Sequence, residues 1–311
     1  MAVTITSSSY AGEEAGKYIS AALLTANTLE GGLIEIHDNV KYREVIQKLS
    51  STGLIQGADC DFSASGDVQL DEIVLEPTEL MVNVEMCTKP FVQSWESAQL
   101  GMSAHDDELP AKFEDYVIAH FAEKVAANIE RQIWQGDSAV DGEFDGLIKL
   151  LEADGDVVDV TASANPLDAE EVLSELGAIV DAIPQTVYSQ MDKLCIAVSS
   201  DIFRAYKRAL GGFQSQGTGG AGFDNKGFNQ DIDVQYFDGV PVVLAQGLPT
   251  RTAVAYLKDN IFFGTGLLSD HNEVKLLDMA DLDGSQNVRV IVRFTADVNY
   301  AKGGEIVYYG A

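Results

Sequence analysis

The chain has 311 residues, 46% of them hydrophobic and 22% charged, which is ordinary globular composition and enough to bury a sizeable core in one or two domains. Its net charge of −29, from 49 acidic and 20 basic residues, argues against a protein that wraps nucleic acid directly. No segment reaches the roughly 18 apolar residues of a membrane span, and the first ten residues lack the basic start and apolar core of a secretory signal.

The acidic residues are concentrated in two regions. Residues 51–108 hold twelve Asp and Glu against Lys89 alone, and residues 137–201 hold fifteen against Lys149 and Lys193. Such charge can simply keep a protein soluble. It also suits a surface that must lie beside DNA without adhering to it, and we expect the chain to bind DNA weakly at physiological salt.

The first 50 residues have the composition of an extended arm. Small and polar residues open it, and residues 13–29 predict a weak amphipathic helix that ends at Gly31-Gly32. A second short helix is predicted over residues 42–49.

A β-ribbon is predicted after the arm. Residues 58–62 form a short strand, 63–67 a turn and 68–75 an alternating strand, and another alternating strand follows over 80–87. Hairpin arms of about ten residues would extend about 33 Å at roughly 3.3 Å per residue. A ribbon of that length with few large hydrophobic residues is not stable alone, so it needs a partner surface.

The clearest helix is predicted over residues 109–135, where Pro110 suits the first turn and Gly136 ends the helix. Apolar residues recur at every fourth position and form one stripe, which comprises Phe113, Val117, Phe121, Val125, Ile129 and Ile133. At about 1.5 Å per residue the helix would be roughly 40 Å long.

The rest of the chain is mixed and then β-rich. A second helix is predicted between Pro166 and Pro184, a strand at 194–198 leads into a helix over 201–210, and residues 211–227 hold seven glycines and form a flexible loop. Further strands are predicted over 234–237, 240–245, 253–257, 261–264, 273–279, 287–296 and 305–309. Hairpin-type turns are predicted at Asp238-Gly239 and Asp283-Gly284.

The residues offer little that points to catalysis. Residues 217–222 satisfy G-x-G-x-x-G, but a helix precedes the motif and none opens from it, which is the wrong context for a dinucleotide site. A cytosolic enzyme that uses this loop is therefore the weak alternative, and no cofactor is predicted. Asp141, Glu143 and Asp145 are weak candidates for a cation at a subunit contact, although solvated loop acids are the default interpretation.

The order of segments resembles the major capsid protein of tailed double-stranded DNA bacteriophages, whose fold is shared with encapsulins and the herpesvirus capsid floor. Residues 59–87 resemble the protruding E-loop and its return strand, and 91–136, followed by Gly146-Leu147, resemble the spine helix and its exit. Residues 236–249 resemble a strand-turn-strand signature of the family. The segment 59–137 is most similar to capsid proteins of crAss-like and related Bacteroidetes phages.

The resemblance implies an α+β fold with four parts. These are an N-terminal arm at 1–50, an E-loop at 51–80, a peripheral domain at 81–145 and 272–311 with its spine helix at 109–135, and an axial domain at 146–271 with the glycine-rich loop 211–227. The interface candidates in the E-loop are Cys60, Phe62, Gly66, Val68 and Leu70. Those elsewhere are Gly217, Gly219 and Gly222 in the glycine loop, and Asp283 and Gly284 at the turn near local three-fold contacts.

The function that the resemblance implies is structural and not enzymatic. Copies would assemble in the host cytoplasm into hexamers and pentamers of an icosahedral virion shell, which encloses double-stranded DNA without binding it specifically and has no membrane. The expected partners are other copies, a portal protein, possible decoration proteins and a separate scaffolding protein, because the E-loop is reached by residue 51. An encapsulin-type compartment is the alternative with the same fold.

One family reaction is expected to be missing. Some relatives cross-link an E-loop lysine covalently to a distant asparagine. Since the sequence has no lysine between Lys48 and Lys89, the predicted E-loop has no residue for that reaction.

Overall fold

The computed structural model describes residues 8–11, 27–40, 42–57, 64–87, 111–163, 166–210, 234–266, 273–279, 284–285 and 287–310. The helices in these ranges are α1 (Asn27–Glu30), α2 (Ala111–Gln135), α3 (Leu147–Ala153), α4 (Ala169–Ala182), α5 (Gln185–Tyr188) and α6 (Ser200–Ala209). The strands are β1 (Ser8–Ala11), β2 (Glu35–Asp38), β3 (Glu44–Thr52), β4 (Asp67–Leu75), β5 (Thr78–Cys87), β6 (Val158–Thr161), β7 (Leu194–Val198), β8 (Val234–Phe237), β9 (Val240–Leu244), β10 (Ala253–Leu257), β11 (Ile261–Thr265), β12 (Glu273–Asp278), β13 (Asn287–Tyr300) and β14 (Val307–Gly310). Within the described part of the chain, no helix is long and apolar enough to cross a membrane.

The first sheet is organised around the long strand β13. Its strand order is β1-β12-β13-β11-β2, and β5 also pairs with β13. Residues 287–296 of β13 pair with β5, residues 288–293 with β12 and residues 296–300 with β11, all antiparallel. Since β5 and β13 are far apart in sequence, this sheet fixes the segment that precedes the long helix to the end of the chain.

The second sheet is buried on both faces. Its order is β6-β14-β10-β7-β9-β8, with helices α4 and α6 packed on one face. Successive residues of its central strands alternate between the two cores: Cys195 and Ala197 face the core shared with α2, whereas Leu194, Ile196 and Val198 face α4 and α6. Burial on both faces explains why β7 and β10 are continuous apolar runs and not alternating ones.

Helix α2 joins the two sheets through its C-terminal half. Val125, Ile129 and Ile133 of the predicted stripe are buried, together with Trp134, in the core that the first sheet shares with the second. The predicted stripe is thus confirmed for its last turns. Phe121 is partly buried at the edge of this core, and the side chains of Phe113 and Val117 lie outside the described part.

Two glycines close the exit of α2. Gly136 N donates to Gln132 O at 2.9 Å, and Gly146 N donates to Gly136 O at 2.9 Å. A Cβ atom on Gly136 would lie 2.2 Å from Phe144 O, and one on Gly146 would lie 2.5 Å from Gly136 N. The backbones approach so closely that no larger residue fits, which is why a glycine at each end of this loop is a useful sequence signal.

Beyond the sheets, β3 and β4 form a two-stranded antiparallel ribbon with a register from Glu44↔Leu75 to Thr52↔Asp67. The prediction of a short helix over residues 42–49 is therefore wrong. The alternation of Val45, Gln47 and Leu49 is the period of a strand, and pairing with β4 decides between the two structures. The ribbon begins at Glu44, before the predicted boundary at residue 51.

This earlier start places Lys48 on the ribbon, opposite Asp71. The absence of a cross-linking lysine was predicted for residues 51–80, so Lys48 lies just outside that range and the prediction stays a prediction.

Part of the predicted arm belongs to this chain's own core. Strand β2 pairs in parallel with β11, and Leu29, Leu33, Ile34 and Val40 are buried. Strand β1 pairs with β12. Residues 27–40 are therefore fixed to the body of their own subunit, and an arm that lies across a neighbour stays a prediction for the earlier residues. The predicted helix over 13–29 falls outside the described residues except for its end, where α1 lies.

The turn at Asp238-Gly239 is confirmed. Asp238 has a φ of 48° and Gly239 a φ of 83°, so both central residues are left-handed, as a type I′ hairpin requires. The strands predicted after residue 234 are also confirmed, although β13 runs on to Tyr300. Helices α3 and α5 and strands β2 and β6 were not predicted, because each is short and its residues carry no clear periodicity.

Candidate assembly interface

One face of the ribbon of β3 and β4 carries a row of exposed apolar side chains. Cross-strand partners share a face, so Val45, Leu49, Val68 and Leu70 lie on the same side, here called the apolar face, together with Gln47 and Glu72. The exposed fractions of the four apolar side chains are 44%, 66%, 58% and 55%, whereas Gln69 belongs to the other side. The ribbon thus presents a stripe of large apolar side chains that the described part of its own chain leaves uncovered.

The apolar surface extends past the strands towards the tip. Ser65 Oγ donates to Leu54 O at 3.1 Å, and Gly53 lies against Gly66, whose φ of 82° forms the bend that was predicted there. Leu54 and Ile55 are 55% and 96% exposed. Apolar residues at this exposure indicate a surface that another molecule covers.

The ribbon is attached to the body at its base. Leu75 is fully buried against Gly264 of β11, where a Cβ atom would lie 2.4 Å from the Leu75 side chain. Asn299 Nδ2 donates to Val74 O at 2.8 Å, and Glu76 N donates to Asp297 Oδ2 at 2.9 Å. These contacts fix the direction in which the ribbon leaves the body.

Asp297 carries a buried carboxyl group with a raised pKa at the base of the ribbon. Burial raises the pKa of its carboxyl to about 6, and the nearby carboxylates of Asp145 and Glu76 raise it further, whereas hydrogen bonds from the Glu76 and Val298 amides oppose the rise. Because the folded-state pKa lies above the unfolded value of 3.8, the protonated form favours the folded chain. Stability from this group is present at low pH and is lost as the pH rises through about 6.

We therefore expect Asp297→Asn to stabilise the chain at neutral pH. The amide oxygen can still accept from Glu76 N, and the buried charge is removed. The gain should be about 1–3 kcal/mol at pH 7.5 and should fall towards zero near pH 4. Urea unfolding of both proteins between pH 4 and 8 measures it, and a difference that does not change with pH would contradict this role.

Two of the three weak cation candidates form ion pairs with bases of the same chain. Glu143 pairs with Arg131, and the hydrogen bond from Arg131 lowers the pKa of the Glu143 carboxyl. Asp145 pairs with Lys149; burial alone would raise the pKa of Asp145, but the hydrogen bonds from Lys149 and Ser138 lower it. Across the described ranges no three His, Cys, Asp or Glu side chains are grouped to hold a metal ion. Asp141 is exposed, and the interpretation of these three residues as solvated loop acids stays a prediction.

Of the other predicted interface residues, the structure describes only Gly284. Gly284 is exposed, with a φ of 71° that suits the predicted turn. Cys60, Phe62, Asp283 and the loop glycines Gly217, Gly219 and Gly222 lie outside the described residues.

A buried polar clamp was missed from the sequence. Glu130 is 5% exposed and accepts from Thr28 N at 2.9 Å, from Thr28 Oγ1 at 2.6 Å and from Gly247 N at 3.3 Å. Trp134 Nε1 donates to the same Thr28 hydroxyl at 2.9 Å. The clamp ties the N-terminal segment and the β9–β10 loop to α2, and its partners lie more than 100 residues apart, so no local pattern signals it.

The structure is similar to several solved capsid structures. The capsid of a native GTA particle superposes with a TM-score of 0.59 at 12% identity, covering 93% of this chain and 89% of that one. The satellite phage P4 procapsid gives 0.56 at 9%, covering 94% and 97%, and a virus-like particle from Pyrococcus furiosus gives 0.52 at 9%, covering 96% and 99%. No protein-family model and no curated protein sequence matches the chain. The chain has the tailed-phage capsid fold.

The comparisons establish the fold class. The matches cover nearly the whole length of both chains, and the α+β capsid fold predicted from the sequence is confirmed. Identities of 9–12% establish shared architecture and leave function to be argued from this chain's own surfaces.

Proposed function

We propose that this chain is the major capsid protein of a tailed double-stranded DNA bacteriophage. Copies assemble into hexamers and pentamers of an icosahedral shell that encloses packaged DNA. The observation that carries the proposal is the apolar ribbon face of Val45, Leu49, Val68 and Leu70, which the described part of a chain with the capsid fold leaves uncovered.

The ribbon has the dimensions of an intersubunit contact. Each strand has nine residues, which is about 30 Å at roughly 3.3 Å per residue. A two-stranded ribbon is marginal in water without a surface to pack on. Fully burying one large apolar side chain stabilises a contact by about 1.5–3 kcal/mol. In a symmetric shell every ribbon needs the same partner surface, and a neighbouring copy provides it.

The remaining roles follow from the family resemblance and are part of the same proposal. The early residues form an arm across a neighbour, the region around the second sheet is the axial domain, and the glycine-rich loop lies towards the capsomer centre. A portal protein, a separate scaffolding protein and decoration proteins are the expected partners during assembly in the host cytoplasm. The similarity of residues 59–137 supports a crAss-like or related phage of Bacteroidetes.

The second candidate with this fold is an encapsulin-type compartment that holds a protein cargo. The similarity to the virus-like particle from Pyrococcus furiosus favours it, because the coverage of 96% and 99% is as complete as for the phage capsids. The strong negative charge suits a shell that holds DNA without adhesion, and a compartment with this charge would bind a basic cargo segment more readily than an acidic one.

Purification of the full chain after expression tests the proposal. We expect closed particles by negative-stain electron microscopy and light scattering, whereas a stable monomer or dimer at every concentration would contradict it. The contents of particles isolated from infected host cells separate the two shell functions: packaged double-stranded DNA supports a phage capsid, and a protein cargo supports a compartment.

A further inference from the structure

The second sheet carries opposite charges at its two ends. Strand β6 forms one edge of this sheet and β8 forms the other. Helix α4 packs over β6 and β14, and α6 packs over β9, with Tyr206 Oη of α6 donating to Tyr236 O of β8 at 2.7 Å. Each edge therefore has its own helix beside it.

The β6 edge is acidic. Residues 152–171 contain seven Asp and Glu and no Lys or Arg. Among them Asp156, Asp159 and Glu170 have exposed side chains, and Leu173, one turn after Glu170 on α4, is 41% exposed. The acidic edge thus also carries one exposed apolar side chain.

The β8 edge is basic. Arg204, Lys207 and Arg208 lie on α6, and none of them forms an ion pair with a carboxylate within the described residues. Arg204 donates to Ser200 O, and Lys207 lies over the Phe203 ring. Tyr236 on the neighbouring edge strand is 65% exposed. Exposed tyrosine and arginine side chains on adjoining elements are residue types that are enriched at interface centres.

The strands at the two edges cannot meet within one chain. Six strands at about 4.8 Å spacing place β6 and β8 roughly 24 Å apart, about three times the screening length of roughly 8 Å at physiological salt. Helices α4 and α6 pack against each other on one face of the sheet, but contact between the two strand edges needs a second molecule. Because the edges differ, such a contact is head-to-tail, and repeated around an axis it closes a ring.

We propose that the basic edge of α6 and Tyr236 docks on the acidic edge of β6 and α4 in the next copy of this chain, and that this contact closes the capsomer ring. The inference rests on the proposed shell function and adds the surface and polarity of the ring contact. Three bases are fewer than the roughly six to ten phosphate contacts of a salt-sensitive DNA binder, so a protein partner fits this patch better than DNA.

Charge reversal tests the contact in the full chain. Arg204→Glu/Arg208→Glu makes both edges acidic, and Asp159→Arg/Glu170→Arg places two bases among the five acids that remain in residues 152–171. We expect each double variant to fold with an unchanged melting temperature and to need at least about tenfold more protein to form rings at 0.15 M salt, because like charges then face each other at the substituted positions. Lys124→Glu/Lys193→Glu is the control with the same change in net charge as the first variant, and it should assemble like the original chain.

Mixing the two double variants gives the sharpest result. In a contact between the two kinds, the substituted glutamates face the substituted arginines, so the equimolar mixture should regain ring formation, and native mass spectrometry should detect rings with even numbers of subunits. Normal assembly of either variant alone, or a mixture no better than its components, would overturn the edge contact. Loss of DNA retention by normally assembled Arg204→Glu/Arg208→Glu particles would assign the basic edge to DNA instead. If the original chain forms neither rings nor shells, the proposed function itself fails.

Discussion

Leu70→Asp is expected to leave the subunit folded and to prevent it from forming shells. Leu70 is 55% exposed and lies opposite Leu49 on the apolar face of the ribbon, so the isolated chain loses at most a cross-strand pair of about 0.2–1 kcal/mol. In the assembled state the carboxylate would be buried against an apolar surface of the neighbour without a partner, and the cost is repeated at every contact. Particle yield by sedimentation and the melting temperature of the subunit measure the two effects.

The neighbouring residue provides the matched control. Gln69→Asp introduces the same charge one position away, on the opposite face of the ribbon. We expect it to assemble with nearly normal yield. Equal loss of assembly in both variants would mean that the charge and not the face matters, and normal assembly of Leu70→Asp would remove the apolar face from the interface.

Glu130→Ala should lower the stability of the subunit itself. The substitution leaves the amides of Thr28 and Gly247 and the Thr28 hydroxyl without their buried acceptor. Unsatisfied buried donors cost about 1–3 kcal/mol each, so we expect a loss of about 3 kcal/mol or more in the free energy of unfolding. Urea denaturation measures it, and the N-terminal segment should become more accessible to protease because Thr28 loses its attachment to α2.

Glu152→Ala is the control for this effect. Glu152 is exposed, and its carboxylate accepts one bond from Tyr308 Oη at 3.1 Å, so its removal should change stability by less than about 1 kcal/mol. Equal losses in the two variants would show that the buried clamp is not a special support for the N-terminal segment.

Much of the fold could be predicted because its signals are local. The long helix has an apolar stripe at every fourth position, and Gly136 marks its end. The strands of the second sheet are short apolar runs between turn residues, and Asp238-Gly239 is a strong hairpin signal. The ordered series of such segments also carried the resemblance to the capsid fold.

The ribbon was predicted in part and its boundary was wrong. Strand β4 alternates clearly, but β3 contains Glu44, Gln47 and Lys48 among its apolar residues, and over so few residues this composition fits a helix or a strand. The segment is a strand because it pairs with β4, whose centre is more than 20 residues away from that of β3. Local propensity contains no information about so distant a partner.

The polar supports were missed because they are long-range. Nothing in the local sequence distinguishes Glu130 from an ordinary helix residue. It is buried because residues 27–30 and the β9–β10 loop pack against α2. Nothing in the local sequence distinguishes Asp297 from an ordinary strand residue. Its pKa is raised because it is buried at the base of the ribbon, against Glu76, which is 221 residues away in the chain. The opposite charges at the edges of the second sheet likewise required the strand order.

A cryo-electron microscopy map of particles assembled from the full chain is the most direct test of the central claim. We expect closed shells in which the face of Val45, Leu49, Val68 and Leu70 is buried on an adjacent subunit, with Gln69 on the opposite side of each ribbon. Shells whose ribbons leave this apolar face in solvent, or a protein that forms no shell, would contradict it.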